Sequence, residues 1–215
     1  MPTERNRGRR ARTDMADTST SLSDDAPTRL ILASASPRRA DLLRQLGLDF
    51  VVIVARVDEV APAHLTPHEI AQINAYRKAR AVAKKHPDDL VLGADTIVSL
   101  GAQIFGKPAN LSEAEEMLLA LQGQSHEVVT GVCLVGWRAR RERLFAVSTT
   151  VTFQPLDRAA IRRYLQQINP LDKAGAYAIQ EHGDWIVREI SGSYSNVVGL
   201  PVERLREELA CWRRA

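Results

Sequence analysis

The stretch Leu30-Ile31-Leu32-Ala33-Ser34-Ala35-Ser36-Pro37-Arg38-Arg39 commits this chain to a strand that turns directly into a helix. The first four residues are apolar. Ser36 is a favoured helix N-cap and Pro37 a favoured first helical residue. Leu42, Leu43 and Leu46 then share one helical face, and Gly47 suits the left-handed stop behind them. The helix start presents unpaired backbone N–H groups and partial positive charge, yet Arg38 and Arg39 occupy its first turn, where the dipole favours acids. That placement opposes local helix stability and points to an external anion, with a polyphosphate the obvious candidate. Two solvated arginines are the plain alternative.

Further along, strand and helix patterns keep alternating. Residues 50–54 read as a second strand. Thr66-Pro67-His68-Glu69 is a capping box with proline at the first helical position, and its helix runs to about residue 85. Asn74 and Lys78 lie four residues apart on that helix and share a face. Residues 90–98 read as a buried strand. Ser112-Glu113-Ala114-Glu115 reads as a second capping box, for a helix ending near Gly123. Residues 128–137 and 144–153 look like paired strands. Asp157 caps a helix through residue 168, and Asn169-Pro170 ends it. Residues 174–180 and 185–190 read as strand, turn, strand, and residues 202–212 as a closing amphipathic helix. This order predicts an α/β fold with a mixed central sheet and flanking helices. A length of 215 residues suits one medium domain or two small lobes around a cleft.

Residues 1–28 differ from the rest. Arg5, Arg7, Arg9, Arg10 and Arg12 precede a Ser/Thr-rich run with Asp14, Asp17, Asp24 and Asp25. With almost no large apolar residues, this segment cannot offset the entropy of ordering and reads as a disordered tail. It lacks the apolar stretch of a secretory signal. The folded domain is therefore expected over 29–215. The formal charge of +3 calls for nothing larger than a small anionic ligand, so no nucleic acid is expected. Two cysteines, Cys133 and Cys211, form no disulfide framework or zinc spacing, which fits a reducing cytoplasm. Cys133, in an apolar run, reads as a buried thiol. No apolar stretch approaches membrane-spanning length, so no membrane partner is expected.

The chemistry centres on Asp95, a lone acid in Val91-Leu92-Gly93-Ala94-Asp95-Thr96-Ile97-Val98. A carboxylate there is costly unless paired, hydrogen-bonded or metal-bound. It reads as a magnesium ligand or a general base for water, or else as a strand-end acid capping a loop. Glu59, beside Asp58 at a strand end, is the natural second carboxylate. Lys107 ends Gly101-Ala102-Gln103-Ile104-Phe105-Gly106-Lys107-Pro108, which imitates a P-loop but puts proline where that motif needs a hydroxyl. A turn that merely presents Lys107 is the better reading. The small-residue run Lys173-Ala174-Gly175-Ala176-Tyr177-Ala178-Ile179-Gln180 lets a flat ligand or another backbone approach closely. His126 and His182 lack partners at metal spacing and read as ordinary polar residues.

Taken together, these segments resemble the Maf family of nucleoside triphosphate pyrophosphatases from about Leu30 to Leu209. The matching pieces are Ser34-Ala35-Ser36-Pro37-Arg38-Arg39, Asp58-Glu59, Lys78-Ala79, Gly93-Ala94-Asp95-Thr96, Gly106-Lys107-Pro108, the 173–180 run and Gly199-Leu200-Pro201. Each is weak alone, and their shared order is specific. The resemblance implies an inosine triphosphate pyrophosphatase-like fold, with two lobes around a cleft. It implies a divalent metal, magnesium or manganese, on Glu59 and Asp95, and a cytoplasmic homodimer. The implied reaction splits a nucleoside triphosphate into a monophosphate and pyrophosphate. Asp95 would accept the proton of water. Lys78 and Lys107 would neutralise the phosphates, and Arg38, Arg39 and Ser34 would hold the ligand. Arg38, Thr96 and Gln180 match the pyrimidine group, which acts on dTTP and UTP, rather than the 7-methyl-GTP group with Trp, Gln and Glu. The loop Glu181-His182-Gly183-Asp184-Trp185 departs from the Gly-rich pattern of that group. Two alternatives accompany this reading: a 7-methyl-GTP pyrophosphatase, and a nucleotide-sensing inhibitor of septum formation without turnover.

Overall fold

Ser36 caps the first helix as its sequence requires: its side chain accepts from the Arg39 N–H, with Pro37 in the first turn. The computed structural model describes residues 29–214, so the reading of residues 1–28 as a tail lies outside the described residues. The order is β1 (Leu30–Leu32), α1 (Pro37–Gln45), β2 (Phe50–Val52), α2 (Pro67–Ala83), β3 (Leu90–Leu100), β4 (Gln103–Phe105) and α3 (Leu111–Leu121). It continues with β5 (Ser125–Gly136), β6 (Arg141–Phe153), α4 (Arg158–Leu165), β7 (Val187–Ser191), α5 (Tyr194–Val198) and α6 (Val202–Arg214). Among the described residues the strands form one seven-stranded mixed sheet, ordered β2-β1-β3-β5-β6-β7, with β4 also paired to β3. The pairs of β1 with β2 and β3 are parallel, and the remaining pairs are antiparallel.

Strand alternation builds the two faces of the sheet. Leu90, Leu92 and Ala94 of β3 pack with Leu42 and Leu43 of α1 and Leu205 and Leu209 of α6. Val91 and Cys133 point the other way, onto Ala75, Ala79 and Val82 of α2. Helix α2 lies directly on the sheet because Gly93 and Gly131 leave room for it. A Cβ on Gly93 would lie 2.3 Å from the Ala75 carbonyl oxygen, and one on Gly131 2.4 Å from that of Ala71. Gly131 is also the cross-strand partner of Asp95. The helix backbone is thus closest to the sheet where Asp95 sits.

The long strands β3 and β5 continue into a second core. There Val98, Phe105 and Val128 pack with Leu118 and Leu121 of α3, Ile161 and Tyr164 of α4, and Tyr177 and Ile186. On its outer edge β3 pairs with β1 through Leu92 and with β4 from Val98 onward. Between these pairings, at residues 93–97, that edge has no strand neighbour among the described residues, and the cleft opens there.

Several boundaries differ from the sequence reading. Helix α3 is capped by Asn110, whose Oδ1 accepts the Glu113 N–H at 2.9 Å, while Glu113 Oε2 accepts the Ala109 N–H at 2.7 Å. The reciprocal pair sits two residues earlier than Ser112, and Glu115 is spent instead on Arg158 and Arg162 of α4. Residues 174–180 form no strand. Gly175 and Ala176 both take positive φ, 70° and 61°, and turn the chain back on itself. Short 3-10 turns at Pro170–Asp172, Ala174–Ala176 and Gly183–Trp185 replace the expected hairpin, leaving β7 alone to extend the sheet from β6. Helix α4 stops at Leu165, short of residue 168. The P-loop imitation is a hairpin: Gly101 takes φ +57° and β4 folds back on β3, leaving Lys107 exposed beyond it.

Candidate functional site

Helix α2 delivers two polar side chains to Asp95. Lys78 Nζ donates to Asp95 Oδ1 at 2.6 Å and to Glu59 Oε1 at 2.7 Å. Asn74, one turn earlier, donates from Nδ2 to Asp95 Oδ2 at 3.0 Å. Asp95 is only 4% exposed, so both of its oxygens are satisfied within the protein, as a buried carboxylate requires. Partial burial is the largest single influence on Glu59 and works against its ionisation, while the Lys78 hydrogen bond works the other way. With the charges of Lys78, Lys107 and Arg39, that bond holds the carboxyl below its ordinary range. The centre is two carboxyl groups bridged by the Lys78 ammonium. Among the described residues no group of three or more His, Cys, Asp or Glu side chains gathers at one point.

Thr96 follows Asp95 on β3 and so faces the opposite side of the sheet, toward α1. There the arginine that touches it is Arg39. Its Nη2 donates to Thr96 Oγ1 at 2.9 Å, its Nε to the Gly199 carbonyl at 2.8 Å, and its Nη1 to Ser34 Oγ at 3.2 Å. Burial lowers the Arg39 pKa from its ordinary value against the nearby charges of Asp95 and Glu59. Thr130 Oγ1 donates to the Asn196 carbonyl at 3.0 Å, so in the 3.0 Å contact between the two threonine hydroxyls Thr96 is the donor.

Arg38 points elsewhere. Its Nη1 lies 3.3 Å from Asp172 Oδ2 in the segment that replaces the expected hairpin. Asp172 also accepts from Lys173 Nζ at 2.9 Å, and Lys173, 5% exposed, donates to the Asn169 carbonyl at 2.7 Å. Burial opposes ionisation of Asp172, but Lys173 and Arg38 hold its carboxyl below the usual range.

Two adjoining hollows at the open edge of β3 gather the charged groups of this site. Arg38, Arg39, Glu59 and Lys107 line both. Ser34 and Lys78 belong to one; Asp95, Thr96 and Gln180 belong to the other, whose walls include Ile97, Val98, Phe105 and Tyr177. All nine residues singled out from the sequence thus converge on one cleft. Sequence reasoning missed the bonds of Asn74 and the ion pair of Arg38 with Asp172. The first had a signal in the four-residue spacing from Lys78; the second joins residues 134 apart and had none.

A family model described as a Maf-like protein matches residues 29–212. The chain belongs to the Maf-like family. Among its relatives, a dTTP/UTP pyrophosphatase of Symbiobacterium thermophilum is 51% identical over 81% of this chain and 89% of the relative. One of Pelotomaculum thermopropionicum is 47% identical over 84% of this chain and 94% of the relative, and one of Bacillus anthracis is 46% identical over the same shares. A solved structure, a HAM1 protein from Coxiella burnetii, aligns with a TM-score of 0.39 and 18% identity over 58% of this chain and 72% of that one. The fold assignment rests instead on the family match and the mixed sheet. In this Maf-like chain the cleft has a polar side around Lys78, Arg38 and Lys107 and an apolar side around Tyr177, an arrangement that suits a ligand anionic at one end and flat at the other.

Proposed function

We propose that the protein hydrolyses pyrimidine nucleoside triphosphates, dTTP and UTP foremost, to the nucleoside monophosphate and pyrophosphate. The carrying observation is the Lys78 bridge between Glu59 and the buried Asp95, set in a cleft that Arg38 and Lys107 also line. The names of the relatives, dTTP/UTP pyrophosphatase, support the same reading.

In this reading the triphosphate lies along the polar side of the cleft, where Lys78, Lys107 and Arg38 balance its charge. Water attacks the α-phosphorus, and the bond to the α–β bridging oxygen breaks. Pyrophosphate leaves with that oxygen. Asp95 takes the proton of the attacking water. Arg39 fixes Thr96 at the base end, and Gln180 offers both a donor and an acceptor to uracil or thymine. Ser34 supports Arg39. The donor chemistry of Glu59 and Asp95, hard carboxylate oxygens already converging on one cation, fits magnesium or manganese, which takes one or two carboxylates plus phosphate oxygens. Such an ion supplies charge stabilisation to the phosphates when bound.

A homodimer and a cytoplasmic location belong to the same reading on the strength of the family resemblance; light scattering checks the first and cell fractionation the second. Among the described residues no helix is long and apolar enough to cross a membrane.

The test is pyrophosphate release with magnesium, over UTP, dTTP, CTP, GTP and 7-methyl-GTP, for the wild type and Asp95→Asn. Turnover should be highest with UTP and dTTP, and Asp95→Asn should abolish it while keeping the fold. Preference for 7-methyl-GTP, or a fully active Asp95→Asn enzyme, overturns the proposal.

A further inference from the structure

Glu59 sits in a long connection between β2 and α2 that has no helix or strand of its own. Among the described residues, positions 54–65 make three hydrogen bonds to the body of the protein. Val60 N–H donates to Asn74 Oδ1 at 2.9 Å, Asn74 Nδ2 donates to the Val60 carbonyl at 3.0 Å, and Lys78 Nζ donates to Glu59 Oε1 at 2.7 Å. The residue next to Glu59 is thus clamped, on both its backbone groups, by one side-chain amide. That amide also donates to Asp95 Oδ2 at 3.0 Å. Asn74 is 2% exposed, and both its hydrogens and its oxygen are engaged. A buried amide spent so completely, on the loop that carries one carboxylate and on the strand that carries the other, does more than satisfy its own polarity.

We propose that Asn74 is a positioning residue that sets the place of Glu59 relative to Asp95 across Lys78. The inference rests on the reading of these two carboxylates given above. Without the clamp, Glu59 is joined to the site only by its own flexible side chain meeting the flexible side chain of Lys78. A connection left with so few bonds to the body then samples many positions. Reacting groups displaced by about 1 Å lose on the order of a hundredfold in rate. Helix α2 is seated on Gly93 and Gly131, which fixes the height of Asn74 and Lys78 above Asp95.

The experiment compares the full-length wild type with Asn74→Leu, Asn74→Asp and Asp95→Asn, using UTP with magnesium. It reads kcat, KM, and amide hydrogen exchange along the chain at a temperature well below unfolding. Asn74→Leu keeps the volume and removes every bond. Its kcat should fall by about 10- to 100-fold with KM within about threefold, and exchange should accelerate across residues 54–65 while α2 and β3 stay protected. Asn74→Asp keeps an acceptor for the Val60 N–H but has no proton for Asp95. It should retain part of the loop protection and still lose kcat. Wild-type kcat in folded Asn74→Leu overturns the inference, and so does a kcat loss without faster exchange in the loop. If Asn74→Leu does not fold, Asn74→Asp decides alone: wild-type kcat in that variant overturns it. A fully active Asp95→Asn enzyme sinks the underlying assignment of Asp95, whereas an inactive Asp95→Asn beside a fully active Asn74→Leu sinks only the role of Asn74.

Discussion

Arg39 holds Thr96 from across the cleft: its Nη2 lies 2.9 Å from Thr96 Oγ1 while the same guanidinium reaches the Gly199 carbonyl and Ser34 Oγ. Three acceptors from three segments of the chain are read by one planar fork, a geometry an ammonium cannot reproduce. Arg39→Lys should therefore destabilise the protein by about 1.5–3 kcal/mol, the range for hydrogen bonds from a charged donor. Urea denaturation measures it. Release of Thr96 should also lower kcat/KM for UTP by about tenfold. A lysine variant with unchanged urea midpoint and unchanged UTP kinetics would show that the fork contributes neither.

The Lys78 ammonium offsets the charge of an Asp95 side chain only 6% exposed, and is itself 12% exposed. Removing one member of a buried pair strands the other. Lys78→Met should cost about 3–5 kcal/mol of stability and nearly all turnover. The double variant Lys78→Met with Asp95→Asn should recover much of the stability and none of the activity, because the stranded charge is gone but so is the base. Equal stability of the single and double variants would argue against a strong pair.

His126 is buried against Tyr177 and Phe153, with Nε2 2.9 Å from the Tyr177 hydroxyl. Burial pushes its pKa down to about 4 from the ordinary 6.5. Between those values the unfolded chain binds a proton that the folded protein does not, so stability rises with pH across the window and falls as pH drops through it. The expected loss from pH 7 to pH 4 is on the order of 2–3 kcal/mol from this residue. Urea unfolding at several pH values should show a shallower slope in this window for His126→Gln than for the wild type. Parallel slopes would assign the acid sensitivity to other groups.

Gln180 is exposed on the wall of the cleft that also holds Thr96. Uracil and thymine present an acceptor at O4 beside a donor at N3, and one carboxamide matches both. A glutamate only accepts and faces the carbonyl oxygen unfavourably. Gln180→Glu should lower kcat/KM for UTP and dTTP by an amount equivalent to about 1–3 kcal/mol. Joined with Arg38→Trp and Thr96→Gln, it should move preference toward 7-methyl-GTP, whose cationic ring favours a carboxylate and an aromatic face. An undiminished UTP value in Gln180→Glu would place the base elsewhere.

What the sequence determined by itself is local and chemical. Ser36, Thr66 and Asp157 cap their helices because a side-chain oxygen there reaches an N–H within the same turn. Asp95, Glu59, Lys107 and the arginine pair at the start of α1 were legible from their own chemistry, whereas the site roles of Ser34, Thr96 and Gln180 came from the family resemblance. Asp95 within an apolar strand is the clearest of them. At the start of α3 the sequence reading puts the cap at Ser112, whereas Asn110 caps the helix and Glu115 instead pairs with Arg158 and Arg162 of α4. The left-handed pair Gly175 and Ala176 defeated the strand reading of residues 174–180, and the Gly175 N–H is taken by the Gly106 carbonyl on a distant turn. Tertiary structure alone decided which arginine meets Thr96, what Arg38 pairs with, and that one amide on α2 joins Glu59's loop to Asp95. These relations depend on the chain's path through space, since hydrogen bonds act over about 3 Å while the residues they join stand tens of positions apart.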